Sequence, residues 1–236
     1  MIDFHSHILP KMDDGSRSVE ESLELLRESA RQGVDTIAAT PHFYASQEPP
    51  ERFLARRAEA WETLKPHLTD EMPRILLGAE VHFFEGIAHA ELVPQLKLQG
   101  TELLLLEMPF HPWTDRIVSE VVELAARPGV TVVLAHIERY LQYLRFRSRR
   151  YMTTLRNSGV LIQSNGEFFL EKPTRSKAVK MLREGKIDLL GSDCHSTDRR
   201  PPTLGPASEQ IRAALGGSPL ETIDRRARAL IGEADR

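Results

Sequence analysis

Cysteine is all but absent: Cys194 is the only one in 236 residues, so the chain can close no internal disulfide and its fold is independent of an oxidising compartment. Long apolar runs are missing too. The longest, such as Leu103 to Leu106, are far too short to cross a bilayer, and the N-terminal stretch has neither the basic segment nor the apolar core of a secretory signal. Both absences lead to the expectation of a cytoplasmic protein with no direct membrane insertion. Charge of one sign is not in excess either. With 31 Lys and Arg against 34 Asp and Glu the formal net charge is −3, which excludes a general basic field for nucleic acid, so any anionic ligand must be attracted locally. No linker, low-complexity stretch or internal repeat divides the chain. Its 41% hydrophobic residues suffice for one sizeable core, and residues 1–236 are expected to form a single domain. None of these features specifies an oligomeric state.

What is present is a regular alternation. After an opening strand, Ser18 and Glu21 have capping-box spacing, and Val19, Leu23, Leu26 and Ala30 recur at helical steps before Gly33. Residues 34–40 predict a second strand that runs into Pro41 and His42. A helix over 50–68 leads to a strand over 74–79 that delivers Glu80; a further helical stretch leads to a strand over 101–106, whose four leucines precede Glu107 and suit burial on both faces. A helix over 115–127 precedes a fifth strand, 130–135, with His136 next to it. Residues 145–150 open the following helix, 160–163 form a sixth strand ending near Asn165, and a helix over 173–184 precedes a seventh strand, 187–191, which presents Asp193, Cys194 and His195. Two helices follow from Leu204. This order predicts an α/β protein with a parallel sheet and right-handed crossovers. Each of the seven strands ends in a polar candidate, and only closure brings seven ends to one mouth. The pattern therefore favours a distorted seven-stranded (β/α)7 TIM-like barrel over an open sheet.

The first fifteen residues hold the densest chemistry. His5 and His7 lie two apart on a strand, so both imidazoles point the same way and can grip one metal ion, although two half-buried histidines without a ligand would show the same spacing. Asp13 and Asp14 follow in a turn closed by Gly15, which can bring a carboxylate back toward them. At the expected mouth His5, His7, Asp14, His42, Glu80, Glu107, His136, Asp193 and His195 collect. Imidazole with carboxylate suits manganese, iron or zinc. Nine candidates exceed what one ion takes, so two or three ions sharing bridging carboxylates are expected.

The segments FHSH, GAE around Glu80, AHIERY from Ala135 and SDCH from Ser192 resemble the polymerase and histidinol phosphatase (PHP) family of metal-dependent phosphoesterases. The longer run DFHSHILPKMDDGSRSVEES, with AHIERY and with DCH followed by RRPP, is similar to its bacterial protein-tyrosine phosphatase branch, associated with capsular and exopolysaccharide synthesis. The resemblance covers nearly the whole chain. It implies the PHP fold and three divalent metal ions, manganese first, with iron or zinc as alternatives. His5, His7, Glu80 and Asp193 would hold the first ion; Glu80, Glu107 and His136 the second, with Glu80 bridging; Asp14, His42 and His195 the third. Asp13 and Asp14 are adjacent carboxylates that sequence does not separate. Arg139 and Arg200 match arginines set against the substrate phosphate, where a guanidinium can offer paired donors. Three divalent ions outweigh the carboxylates of Asp14, Glu80, Glu107 and Asp193, which leaves a positive excess suited to a phosphate dianion. The implied reaction is hydrolysis of phosphotyrosine by a metal-activated hydroxide, without a covalent phosphoenzyme, and Asp198 or metal-bound water are the candidates for general acid. The implied partner is the tyrosine-rich tail of a bacterial polysaccharide-synthesis tyrosine kinase.

Rival readings use the same residues. A small-molecule phosphomonoesterase such as histidinol phosphatase would need the same mouth. A non-catalytic, metal-binding regulatory barrel is disfavoured because no candidate ligand is missing. Cys194 and Arg200 have the Cys-x5-Arg spacing of cysteine-dependent tyrosine phosphatases, but the intervening residues contain no glycine and Pro201-Pro202 follows, which disfavours a phosphate-wrapping loop leading into a helix. His82 and His111 lie near Glu80 and Glu107 and could support those ligands or touch substrate; the resemblance departs at His82, where the branch typically has an aromatic. His67 and His89 read as surface residues. Arg145, Arg147, Arg149 and Arg150 read as a solvated helix face rather than a docking site. Phe43, Tyr44 and Trp113 follow strand ends and could wall a pocket for an aromatic ring or equally pack the loops.

Overall fold

The leucine-rich and β-branched segments fold as parallel strands, and the helical periodicities between them fold as crossovers. The computed structural model describes residues 1–144 and 148–233. Its strand segments are β1 (Ile2–Ser6), β2 (Thr36–Ala39), β3 (His42–Phe43), β4 (Arg74–Leu77), β5 (Glu80–His82), β6 (Leu103–Glu107), β7 (Thr131–Leu134), β8 (Leu161–Asn165) and β9 (Leu189–Gly191). They pair in the orders β1-β2-β4 and β3-β5-β6-β7-β8-β9. The second and third strands expected from sequence, 34–40 and 74–79, form as β2 and β4, and each is followed across a break by a short further strand, β3 or β5, that the sequence reading did not include. Pro41, which has no N–H to donate to a ladder, separates β2 from β3, and Gly78-Ala79 separates β4 from β5. Bonding continues through the breaks: Gly78 N–H donates to Ala39 O at 2.9 Å and Glu80 N–H to Pro41 O at 3.0 Å.

The sheet curls until its last strand meets its first. Beyond β9, Asp193 N–H donates to His5 O at 2.7 Å and His7 N–H to Cys194 O at 2.9 Å, on either side of a parallel bridge between Ser6 and Cys194. Ile2, Phe4, Ala38, Leu76, Leu105, Val133 and Leu189 come from strands that are not all neighbours, yet they share one buried cluster; they meet across the inside of the curl. Ile37, Leu104, Leu106, Val132, Leu134 and Ile162 belong instead to the larger cluster under the helices, as the alternation of side chains requires.

The helices are α1 (Val19–Arg31), α2 (Pro50–Leu64), α3 (Val93–Leu96), α4 (Asp115–Ala125), α5 (Leu141–Leu144), α6 (Ser148–Asn157), α7 (Glu167–Leu170), α8 (Arg175–Arg183), α9 (Leu204–Leu215) and α10 (Ser218–Leu230). Among the described residues none is long and apolar enough to cross a membrane. The Ser18 hydroxyl caps α1 by accepting from Glu21 N–H at 3.2 Å, but the Glu21 carboxylate takes the Arg17 N–H rather than closing the reciprocal half of the box. The helical stretch expected before β6 shrinks to the single turn α3 and a 3-10 turn, Ile87–His89, because Gly86, Pro94 and Gly100 interrupt it. Ala227 of α10 and Ile231 join the inner cluster, and Arg228 pairs with Asp35 at 2.6 Å just ahead of β2. The far end of the curl is closed, and the polar strand ends open on the other.

Candidate metal centre

Register and one bulge aim the polar side chains. His42 pairs with Glu80, Glu80 with Leu105, and His82 with Glu107, so these residues stand level on neighbouring strands and share the inward face with Leu105. In β1 the ladder slips between Asp3 and Ser6, a bulge that lets Phe4 stay in the inner cluster while His5, one residue out of phase, also reaches inward. The Asp13-Asp14-Gly15 turn closes tightly against His7: a Cβ on Gly15 would sit 2.5 Å from His7 Cβ and 2.4 Å from its carbonyl oxygen.

Two carboxylates flank one pair of imidazoles. His5 Nε2 and His7 Nε2 are 3.1 Å apart; Glu80 Oε2 lies 3.2 and 3.4 Å from them, and Asp193 Oδ1 lies 3.5 and 3.4 Å from them. Donors that share one divalent ion at about 2.1 Å stand about 3 to 3.5 Å from one another, which is the spacing of each carboxylate oxygen from the two imidazoles, and His5, His7 and Asp193 together could hold a cation. Glu80 turns its other oxygen to a second group, with Oε1 2.6 Å from His136 Nε2, which is itself 3.5 Å from Glu107 Oε1. A third group lies beside the first. Asp14 Oδ1 is 3.5 Å from His42 Nε2 and 3.4 Å from His195 Nε2, and these three with His7 could hold a cation together. All nine candidates are therefore gathered at one mouth.

The buried charges fit cations. Glu80 Oε2 has no hydrogen-bond partner although three imidazoles surround it, and His42 Nδ1 stands 2.8 Å away without hydrogen-bond alignment. A buried orphan carboxylate oxygen costs about 1–3 kcal/mol or more unless something positive occupies the space it faces. Burial disfavours charge on His42 and on His136, yet Asp14 and Glu80 around the first, and Glu107 and Glu80 around the second, lift both to about 9. Against the same burial, His5 and its neighbours hold Glu80 and Asp193 well below the usual carboxylate range. His195 goes the other way, pushed down to about 4 by burial and by His7, so its Nε2 keeps a lone pair.

Supporting side chains fix these donors. His7 Nδ1 donates to Asp13 Oδ2 at 2.7 Å, and the same oxygen takes His42 N–H at 2.9 Å, so Asp13 stands behind the histidines while Asp14 stands among them. His82 Nδ1 donates to Glu107 Oε2 at 2.8 Å. His136 and Asp193, each two residues beyond the end of its strand, both have positive φ, 30° and 54°. His136 N–H is anchored on Gln163 Oε1 at 2.6 Å, and Asn165 donates to Asp193 Oδ2 at 2.9 Å. Asp3, Gln163 and Glu138 escaped the sequence reading. Asp3 Oδ1 accepts from His5 N–H and Ser192 N–H, tying β1 to the end of β9, and burial pushes its carboxyl up to about 6. Glu138 accepts from Ser164 and from Asn165 N–H, and burial raises it to about 7. Only a parity argument on the 161–165 strand could have flagged Gln163 beside Asn165.

The arginines converge: Arg139 Nη2 and Arg200 Nη2 each lie 2.6 Å from Asp193 Oδ2, and Arg200 Nη1 donates to His195 Nε2 at 2.8 Å. Asp198 is not brought to the cluster; it is exposed, and the Ser196 hydroxyl holds its carboxyl below the usual range. Cys194 is fully buried, and burial pushes its thiol up to about 12, which removes the thiolate that a Cys-x5-Arg enzyme needs. Phe43 packs edge-on against Phe53 and Trp113 packs against Tyr140, both in the core, whereas Tyr44 is half-buried with its ring 5.4 Å from His42 and 5.3 Å from His82. His67, His89 and His111 are exposed. Arg150 is exposed and 3.5 Å from Asp115; the side chains of Arg145, Arg147 and Arg149 lie outside the described residues.

Comparison with known proteins extends this geometry to a family. The family model for capsular polysaccharide synthesis, CpsB/CapC, matches residues 1–230. The chain belongs to the CpsB/CapC family. Within it, the tyrosine-protein phosphatase CpsB of Streptococcus agalactiae serotype III (strain NEM316) is 32% identical over 232 residues, covering 92% of this chain and 91% of that one. The tyrosine-protein phosphatase YwqE of Bacillus subtilis (strain 168) is 29% identical over 204 residues, covering 85% and 79%. Among solved structures, one from a study of YwqE of Bacillus subtilis and CpsB of Streptococcus pneumoniae, metal-dependent tyrosine phosphatases, has a TM-score of 0.83 at 26% identity, with 99% of this chain and 95% of that one covered. The matched range, residues 1–230, takes in all the strand segments and the stretch of chain that carries the mouth.

Proposed function

We propose that this CpsB/CapC member is a metal-dependent tyrosine-protein phosphatase, that residues 1–236 are one domain, and that its strand segments form a distorted seven-stranded PHP barrel in which β2 with β3, and β4 with β5, each count as one strand. The observation that carries the reading is the His5 and His7 imidazole pair, 3.1 Å apart, with a Glu80 and an Asp193 carboxylate oxygen each within 3.2 to 3.5 Å of both imidazole nitrogens, on a chain that matches named tyrosine phosphatases along nearly its whole length. In this proposal three divalent ions, manganese first and iron or zinc as alternatives, are held by His5, His7, Glu80 and Asp193; by Glu80, Glu107 and His136; and by Asp14, His42 and His195. Bound divalent cations supply a nucleophile at neutral pH by bringing the pKa of water down to about 7, and they offset the charge of a phosphate.

The chain's own residues supply the rest. Arg139 and Arg200 offer guanidinium donors to the phosphate oxygens in place of the shared Asp193 oxygen. One lone pair on His195 Nε2 serves either a guanidinium N–H or a cation, so Arg200 is free for phosphate once it lets go of His195. His82 and Asp13 hold Glu107 and His7 in orientation from behind. Asp198, exposed and ionised, is given no proton to deliver; a phenol leaving group makes little demand for one. The proposed physiological substrate is the tyrosine-rich tail of a polysaccharide-synthesis tyrosine kinase.

Turnover of a phosphotyrosine peptide, histidinol phosphate and phosphoserine, measured after chelation and after readdition of manganese, iron or zinc, tests the reading. Loss on chelation, recovery with manganese and preference for the phosphotyrosine peptide are expected. Full activity in the chelated protein would overturn it.

A further inference from the structure

Phe110 is the one large hydrophobic side chain with an exposed surface among the described residues, at 43% exposure. It is nonetheless held in place. Its ring stacks on His136, centroids 6.0 Å apart and planes 21° apart, and on Tyr140, 5.6 Å and 27°. Tyr140 is fully buried, its hydroxyl accepts from Met108 N–H at 2.9 Å, and Trp113 packs behind it at 5.3 Å. Pro109 and Pro112 flank the segment and restrict its backbone. The result is a rigid apolar face presented to solvent in direct contact with a histidine of the cluster.

An isolated exposed hydrophobic residue needs no explanation, but one backed by a stack of three aromatic rings at the lip of a charged mouth has a specific use. An aryl phosphate carries its ring one ester oxygen from phosphorus. With the phosphate at the cluster, the ring falls among the side chains that line the lip, and Phe110 offers it an offset-stacking surface whose conformational entropy is already lost to packing. Tyr44 stands against His42 and His82, two strands away from Phe110 along the order β3-β5-β6, and is only half-buried.

We propose that Phe110 is a specificity-determining residue that stacks on the phenyl ring of the substrate and so selects aryl over alkyl phosphate esters. The inference deepens the phosphatase reading, since it rests on phosphate binding at the same mouth. Its test reads binding rather than turnover. Affinities of the metal-loaded protein for phenylphosphonate and methylphosphonate, two non-hydrolysable probes that differ by the ring, are measured by calorimetry for wild type, Phe110→Ala and Phe110→Tyr, with metal content determined for each. A wild-type preference for phenylphosphonate that falls about tenfold in Phe110→Ala and returns in Phe110→Tyr, at constant metal content, is expected. No wild-type preference, a preference that survives Phe110→Ala, or a loss accompanied by loss of metal would overturn the proposal; the last would make Phe110 a support for His136. If the ring preference behaves as expected while the same preparation fails to hydrolyse phosphotyrosine, the ring site stands and the phosphatase reading falls.

Discussion

Asp13 and Asp14 are chemically identical neighbours that the turn sends to different layers. Asp13 Oδ2 accepts from His7 Nδ1 and the His42 N–H and its Oδ1 from the Gly15 N–H, so both oxygens are committed, whereas Asp14 faces His42 Nε2 and His195 Nε2. On the proposed ligand set, Asp14→Ala is expected to lower the number of metal ions bound per chain. Asp13→Ala is expected to keep that number and weaken affinity by about 10- to 100-fold, the usual effect of losing a group that orients a ligand. Elemental analysis together with metal titration separates the two, and equal stoichiometric losses would contradict the assignment. Cys194 makes a second test at this scale. Its thiol is buried and pushed up to about 12, so Cys194→Ala is expected to retain phosphotyrosine turnover and to lose only about 1 kcal/mol of stability in a urea titration. Abolished turnover with metal content intact would restore the thiol mechanism.

The strand ends are where the elements carry strain. His136 and Asp193 sit in the left-handed region, which costs non-glycine residues about 1–3 kcal/mol each and persists only where surrounding structure enforces it. Gln163 enforces it for His136, and the His5 carbonyl with Asn165 enforces it for Asp193. Gln163→Leu would leave the His136 N–H buried without an acceptor, so a destabilisation of about 1–3 kcal/mol and weaker metal binding are expected together. A stability loss without any change in metal affinity would detach Gln163 from the site. At β9, Gly191 leaves room for the same arrangement: a Cβ there would lie 2.7 Å from both Gln163 Nε2 and His5 Cβ. Gly191→Ala is expected to cost about 1–3 kcal/mol by overpacking beneath His5, checked by denaturant unfolding.

For the whole molecule, the centre gathers buried carboxylates held ionised among histidines of which His7, His42 and His136 are raised above their ordinary range and His195 is lowered, so cations and fold are linked. Chelation is expected to lower the melting temperature as well as abolish turnover, since an ion at a hundred times its dissociation constant contributes about 2.7 kcal/mol to the folded state; an unchanged melting curve would show that the ions do not bind the folded state preferentially. The alternation of strand and helix, the parallel sheet and the polar residue at each strand end were all legible in the sequence, because periodicity, caps and breakers are local. Matching motifs such as FHSH and SDCH in the right order pointed to the family for the same reason. Other features needed three dimensions. The breaks at Pro41 and at Gly78-Ala79, the bulge that turns His5 inward, the positive φ of His136 and Asp193, the split between Asp13 and Asp14, and the exposed stack of Phe110 all depend on contacts between segments far apart in the chain. By itself the sequence determined which residues are available and in what periodic order, through nearest-neighbour propensities. Only the tertiary structure decided which of two adjacent carboxylates faces the cluster and which aromatic faces water, because those choices are set by the space and hydrogen bonds that other strands leave open.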